Sequence, residues 1–317
     1  MLPTLVHTYQ NHHMDSTRWS HYRPREGDVV ISTSIRSGTT WCQEIVRRLI
    51  FWGQAGEAVP RMPQMDMSPW LDLRVRPLDT VIDLLEAQQH RRFIKTHLPL
   101  DGLPFYPQVK YVVVARDARD VFMSLNNFYA NFSEDALSSF NNTLGRVGPP
   151  LPPSPADIHE CWHNWITRGW FEWESEGYPF WGNMRHTQTW WDYRHLENIL
   201  FIHYNDMLRN LSDEIGRIAH FLDIQIPGEA VAAILPELTL ENMRRNGEQT
   251  LPGPSSVWKD GAQTFFFKGT NGRWRDVLTS EELAMYEETA GRVLTLDCRI
   301  WLEQGRIGLV SPDLAIT

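Results

Sequence analysis

Cysteine is scarce in this chain: only Cys42, Cys161 and Cys298 occur, far apart. That spacing offers no disulfide framework and no thiolate pair for a metal, and it suits a reducing compartment. No apolar run approaches the ~18 residues of a membrane-spanning helix. The opening residues, MLPTLVHTYQNHHMDSTRW, lack a charged start followed by an apolar block, so no secretory signal is expected and the cytoplasm is the expected location. Basic charge is also in deficit: 30 Lys plus Arg face 39 Asp plus Glu, a formal charge of −9. That argues against a general nucleic-acid binder, while a local basic pocket stays open. There is no internal repeat. With 42 % hydrophobic and 22 % charged residues over 317 positions, one large α/β domain spanning 1–317 is expected.

What is present centres on Asp28 to Trp52. Val29, Val30 and Ile31 read as a buried strand. A polar loop, Ser32 to Thr40, follows. Ile45, Val46, Leu49, Ile50 and Trp52 then recur at three and four, the spacing of one helix face. Strand, tight loop and helix aim backbone N–H groups and a helix N-terminus at an anion. Gly38 permits close approach of the backbone, Ser37, Thr39 and Thr40 add hydroxyls, and Arg36 adds a fixed charge. The loop is no nucleotide-triphosphatase motif, because Thr33 stands where its first glycine should be and Thr39 where its lysine should be. An ordinary helix cap is the alternative reading.

Further along, Arg92 to Thr96 reads as a second strand that ends in Lys95-Thr96-His97-Leu98-Pro99. A lysine and a histidine where a strand stops occupy the place where open α/β sheets form crevices. Lys110 to Ala115, KYVVVA, is a third buried strand. Arg116 to Asp120 and a helix through Phe128 repeat the strand–basic turn–helix plan. Surface ion pairing of Arg116 and Arg119 with Asp117 and Asp120 is the alternative there. Ile199 to Tyr204 is a fourth strand, and Leu208 to Asp223 an amphipathic helix.

Residues 1–27 read as an arm with solvated histidines. His7, His12, His13 and His21 match no ordinary metal spacing, and no metal is expected. Residues 54–77, with Pro60, Met62, Pro63, Met65, Met67 and Trp70, read as a loop that walls an acceptor pocket or packs on the core. Residues 133–158, rich in Ser, Asn, Gly and Pro, read as a flexible loop or lid. Ile158 to Trp173 carries tryptophans near helical spacing, which suits a core helix. Thr279-Ser280-Glu281-Glu282 is a capping box.

Several of these stretches, in this order, resemble the soluble sulfotransferases that use 3′-phosphoadenosine 5′-phosphosulfate (PAPS). Their loop reads T-Y-P-K-S-G-T-T-W. Here Thr33 to Trp41 differs from it at Ser34, Ile35 and Arg36. The family's K-T-H-L-P, which holds its catalytic histidine, is matched in full at Lys95 to Pro99. Arg116 and Ser124 have the spacing of the family's 3′-phosphate pair, and Tyr204 stands where a tyrosine packs near the adenine. Phe267-Lys268-Gly269 to Trp274 resembles R-K-G-x-x-G-D-W, with Phe267 for the arginine and Arg273 for the aspartate. The resemblance covers about Gly27 to Thr279.

It implies a P-loop-like three-layer α/β fold with a mainly parallel sheet flanked by helices. It implies transfer of the PAPS sulfuryl group to a hydroxyl or amine of a small, apolar or aromatic acceptor, leaving the product PAP. His97 is the expected base, with Lys95 and Arg36 stabilising charge. Arg36, Ser37, Gly38, Thr39, Thr40, Trp41, Arg116, Ser124, Tyr204, Lys268 and Gly269 are the expected nucleotide-binding residues. Two other readings stay open: a PAPS- or PAP-binding protein without catalysis, suggested by Arg36 and Phe267, and a phosphoryl-transfer enzyme. The oligomeric state is not legible.

Overall fold

A computed structural model describes residues 2–52, 63–251 and 254–310. Pro60 and Met62 lie outside the described residues. The centre is a four-stranded sheet in the order β2-β1-β3-β4, with β1 Val29–Thr33, β2 Phe93–Thr96, β3 Lys110–Ala115 and β4 Ile199–His203. Every pairing is parallel; Ile31 sits opposite Lys95 on one side and Val112 on the other. Parallel strands are covered on both faces, so they read as continuous apolar runs. The alternation is clean: Val30, Ile94, Tyr111 and Val113 enter one core, and Val29, Ile31, Phe93 and Val112 enter the other. Each fully buried Val or Ile contributes about 1.5–3 kcal/mol, so these strands are strongly placed.

Because all four strands run the same way, Thr33, Thr96, Ala115 and His203 end at one edge of the sheet. The turns after β1, β2 and β3 therefore meet there. Helix α1, Thr39–Ile50, follows β1 and buries Cys42, Ile45, Val46 and Leu49, while Arg47 and Arg48 pair with Glu44 on its outer side. The loop is shorter than the sequence suggests, since the strand runs to Thr33 and the helix starts at Thr39. Trp52 lies past the helix end and is 38 % exposed. Helices Leu78–Ala87, Ala118–Ala130 and Leu211–Phe221 connect or flank the strands, and the capping box at Thr279 opens Ser280–Val293. All three cysteines are buried free thiols. No helix among the described residues is long and apolar enough to cross a membrane.

Three expectations need correction. The N-terminal histidines are not all solvated: His12 and His13 are buried, and His13 stacks on Phe140 with ring centroids 3.6 Å apart. Residues 133–158 are not loop throughout, because Ser133 caps a helix, Glu134–Asn142, with two acidic residues in its first turn. The tryptophan helix stops at Thr167, so Trp162 and Trp165 are core while Trp170 and Trp173 lie beyond it, half-buried. Gly169 marks that stop; a Cβ there would meet the Glu174 backbone at 2.4 Å.

Candidate active site

A cavity of about 890 Å³ opens over the sheet edge. Arg36, Gly38, Thr39, Thr40 and Trp41 line it from the first turn, and Lys95 and His97 from the end of β2. Arg116 and Ser124 line it from the second turn and its helix, Tyr204 from the end of β4, and Lys268 and Gly269 from the late loop. Of the expected residues only Ser37 stands behind the wall, with its hydroxyl 2.6 Å from Ser34 Oγ.

The first turn is sharply bent: Arg36 has φ 66° and Gly38 φ 106°. Only glycine adopts the second value without strain. Gly38 also sits against an aromatic floor, where a Cβ would meet Tyr204 Cδ2 at 3.0 Å. Gly38 caps α1 without any side-chain hydrogen bond, so the first N–H groups of the helix are left for a ligand. Trp41 Nε1, at that helix start, has no partner among the described residues. Arg36 crosses from this turn toward the second. Its Nε donates to Ser124 Oγ at 3.1 Å and its Nη2 to the Phe265 carbonyl at 2.7 Å, between the rings of Phe128 and Phe265. Burial, with Arg116 nearby, pushes it down to about 10, so it remains charged at neutral pH.

At the end of β2, His97 Nδ1 lies 2.7 Å from the Thr33 carbonyl. A carbonyl only accepts, so Nδ1 carries the proton and Nε2 keeps a lone pair in the cavity wall. Burial and then Lys95 hold His97 neutral, well below the usual histidine range. Lys95 lies over the Trp70 ring, 4.2 Å from its centroid, and makes no hydrogen bond through Nζ among the described residues. Burial, helped by the Arg36 charge, lowers Lys95 to about 8, against Asp72, which favours the ammonium. Asp72 is fully buried, held by the indole N–H groups of Trp19 at 3.0 Å and Trp70 at 2.7 Å. Sequence reasoning missed it; an aspartate flanked by Leu71 and Leu73 in an apolar loop was the available signal.

Arg116 is not a surface ion pair. It lies over the Tyr204 ring at 4.2 Å and donates from Nε to Asn271 Oδ1 at 2.9 Å and from Nη2 to the Thr270 carbonyl at 3.0 Å. Arg119 is the one that pairs with Asp117, at 2.7 Å. Tyr204 donates to the Gly269 carbonyl at 3.2 Å. The late loop thus lies across both turns. Phe267 and Lys268 line the cavity from exposed positions. Arg273 lines the cavity, its Nε has no partner among the described residues, and burial followed by Arg116 lowers it. The loop around 63–77 supplies a wall through Met65 and Trp70; Met67 is core instead. None of Trp162, Trp165, Trp170 or Trp173 lines this cavity.

Residues 26–296 match the sulfotransferase domain family. A glycolipid sulfotransferase of Mycobacterium bovis is 32 % identical over 315 residues, 95 % of each chain. Sulfotransferase 1A1 of Rattus norvegicus is 29 % identical over 275 residues, 86 % of this chain and 85 % of its own. Among solved structures, mouse sulfotransferase SULT7A1 complexed with PAP superposes with TM-score 0.67 at 20 % identity, covering 90 % of this chain and 91 % of that one. Retinol dehydratase in a complex with retinol and PAP gives 0.65 at 25 % identity, covering 87 % and 83 %. Between the phosphoryl and sulfuryl readings of the sequence, these matches decide for the second: the chain belongs to the sulfotransferase family and is an enzyme of that family.

Proposed function

We propose that this enzyme moves the sulfuryl group of PAPS to a hydroxyl, or an amine, of a small acceptor with an apolar body, in the cytoplasm. One observation carries the reading. The Thr33 carbonyl fixes the proton of His97 on Nδ1, so that Nε2 offers a lone pair to the cavity that also receives Arg36, Lys95 and Arg116. The site suits a nucleotide with phosphates at both ends. The uncapped start of α1, with Thr39 and Thr40, takes the 5′ end. Arg116, Ser124 and Arg273 take the 3′-phosphate, and Arg273 supplies the charge that Phe267 does not. Tyr204 and Trp41, with ring centroids 5.5 Å apart, offer surfaces for the base.

PAPS, when bound, supplies an electrophilic sulfur and a phosphate leaving group. His97 Nε2 removes the acceptor proton as its oxygen bonds to sulfur. Negative charge grows on the bridging oxygen, where Lys95, Arg36 and the loop N–H groups stabilise it. An anionic sulfuryl group beside His97 offsets the burial that makes the imidazole a weak base in the free protein. Arg36, being charged, stabilises without giving up its proton. Phe128, Phe132, Val257 and Trp258 give the acceptor end of the cavity its apolar walls, and the mycobacterial relative that acts on glycolipids supports an acceptor with an apolar part.

The test is transfer of label from the donor across phenols, steroids, sugars and lipids, with wild type and His97→Ala. The variant is expected to lose about 100-fold or more in turnover and to keep its affinity for PAP. Turnover near wild type in His97→Ala removes the base. PAP binding by the wild type without any sulfated product favours the binding-only reading.

A further inference from the structure

The buried histidine pair of the N-terminal arm bears on the acceptor, within the sulfuryl-transfer reading above. His12 Nε2 lies 2.8 Å from the Pro179 carbonyl, and His12 Nδ1 shares a hydrogen bond with His13 Nδ1. Burial keeps both rings uncharged, His12 down to about 3 and His13 well below the usual range. A neutral imidazole carries one N–H. The carbonyl only accepts, so the His12 proton is on Nε2 and its Nδ1 is a lone pair. His13 must then donate from Nδ1. Its single proton is used, and His13 Nε2 is left as a bare acceptor.

That ring lines the candidate active-site cavity, and among the described residues its Nε2 has no partner. It is stacked on Phe140, and its centroid lies 6.0 Å from Trp181. His97 lies 5.6 Å from the same indole. Two imidazoles therefore flank one tryptophan, each with a lone pair for one cavity. The first serves the reacting hydroxyl. A simple alcohol would desolvate the second and leave it unpaired, a cost that another donor on the same molecule removes.

We propose that His13 selects acceptors with a second hydroxyl close to the one that is sulfated, a polyol- or sugar-type headgroup on an apolar body. The experiment compares dodecan-1-ol with the 1,2-, 1,3- and 1,4-diols of the same chain, in wild type, His13→Phe and His13→Gln. The readouts are kcat/KM and binding to the enzyme–PAP complex, with melting temperature and PAP affinity measured alongside. Wild type is expected to prefer at least one diol over the mono-alcohol by about tenfold. That ratio is expected to fall to near one in His13→Phe, which keeps the stack on Phe140, and to survive in His13→Gln, whose amide oxygen accepts. Equal use of diols and mono-alcohol by wild type, or a preference that persists in His13→Phe, overturns the role of His13 and leaves the transfer reading standing. Tight PAP binding with no transfer to any alcohol overturns the transfer reading and this inference with it. Should His13→Phe not fold, the diol and mono-alcohol affinities of the wild-type PAP complex decide.

Discussion

The turn after β1 and the turn after β3 look alike as sequence, a buried strand, a basic residue and a helix, yet they are built to do different things. The first leaves its helix without a side-chain cap and bends through two residues of positive φ, so its backbone is what it offers. In the second, Asp117 accepts from Arg119 N at 2.9 Å, so the helix start is already satisfied from within. That turn offers a side chain, Arg116, laid over Tyr204. A capping carboxylate is thus enough to convert a helix-end anion site into a platform for one guanidinium.

If that division holds, the two arginines fail differently. Arg36→Ala is expected to cost about 100-fold in turnover with a smaller effect on PAP affinity, with partial recovery in Arg36→Lys. Steady-state rates at saturating donor check it, and an unchanged rate discards the role of Arg36. Arg116→Ala is expected to weaken PAP about 30-fold or more by calorimetry, because the proposed 3′-phosphate site loses its buried cation. Loss of turnover with intact PAP affinity would reverse the assignment of the two turns.

A pH profile sharpens the contrast further. Lys95 is lowered to about 8 and Arg36 only to about 10. A lowered pKa means the cation loses its charge sooner as pH rises. So kcat/KM for the free enzyme is expected to fall about tenfold per pH unit above about 8, and Lys95→Arg to move that limb upward. A flat profile from pH 7 to 10 removes Lys95 from the chemistry. The smallest effect belongs to the cap: Asp117→Ala is expected to cost about 1 kcal/mol in thermal stability and to leave PAP affinity intact. A large loss of PAP affinity there would mean that the second turn binds through its backbone after all.

The strands were legible because both faces of a parallel sheet are covered, which writes unbroken runs such as KYVVVA into the chain. Most of the residues that line the cavity were legible as short motifs at strand ends, which the parallel topology gathers at one edge. The fate of His12 and His13 was not, because their partners Phe140, Pro179 and Trp181 are far away in sequence. The helix at Glu134–Asn142 was hidden by a Gly- and Pro-rich segment behind it, although Ser133 followed by Glu134 and Asp135 was a usable start signal. Asp72 escaped because a lone aspartate in a loop reads as solvated until Trp19 and Trp70 close over it.

Cys42 lies fully buried on the inner face of α1, three residues into the helix that the first turn launches, with its thiol pushed up to about 12. Alkylating reagents can reach that sulfur only when the helix start comes away from the sheet. The rate of its modification is therefore a clock for opening of the turn, and a nucleotide that grips the turn slows that clock without touching the sulfur.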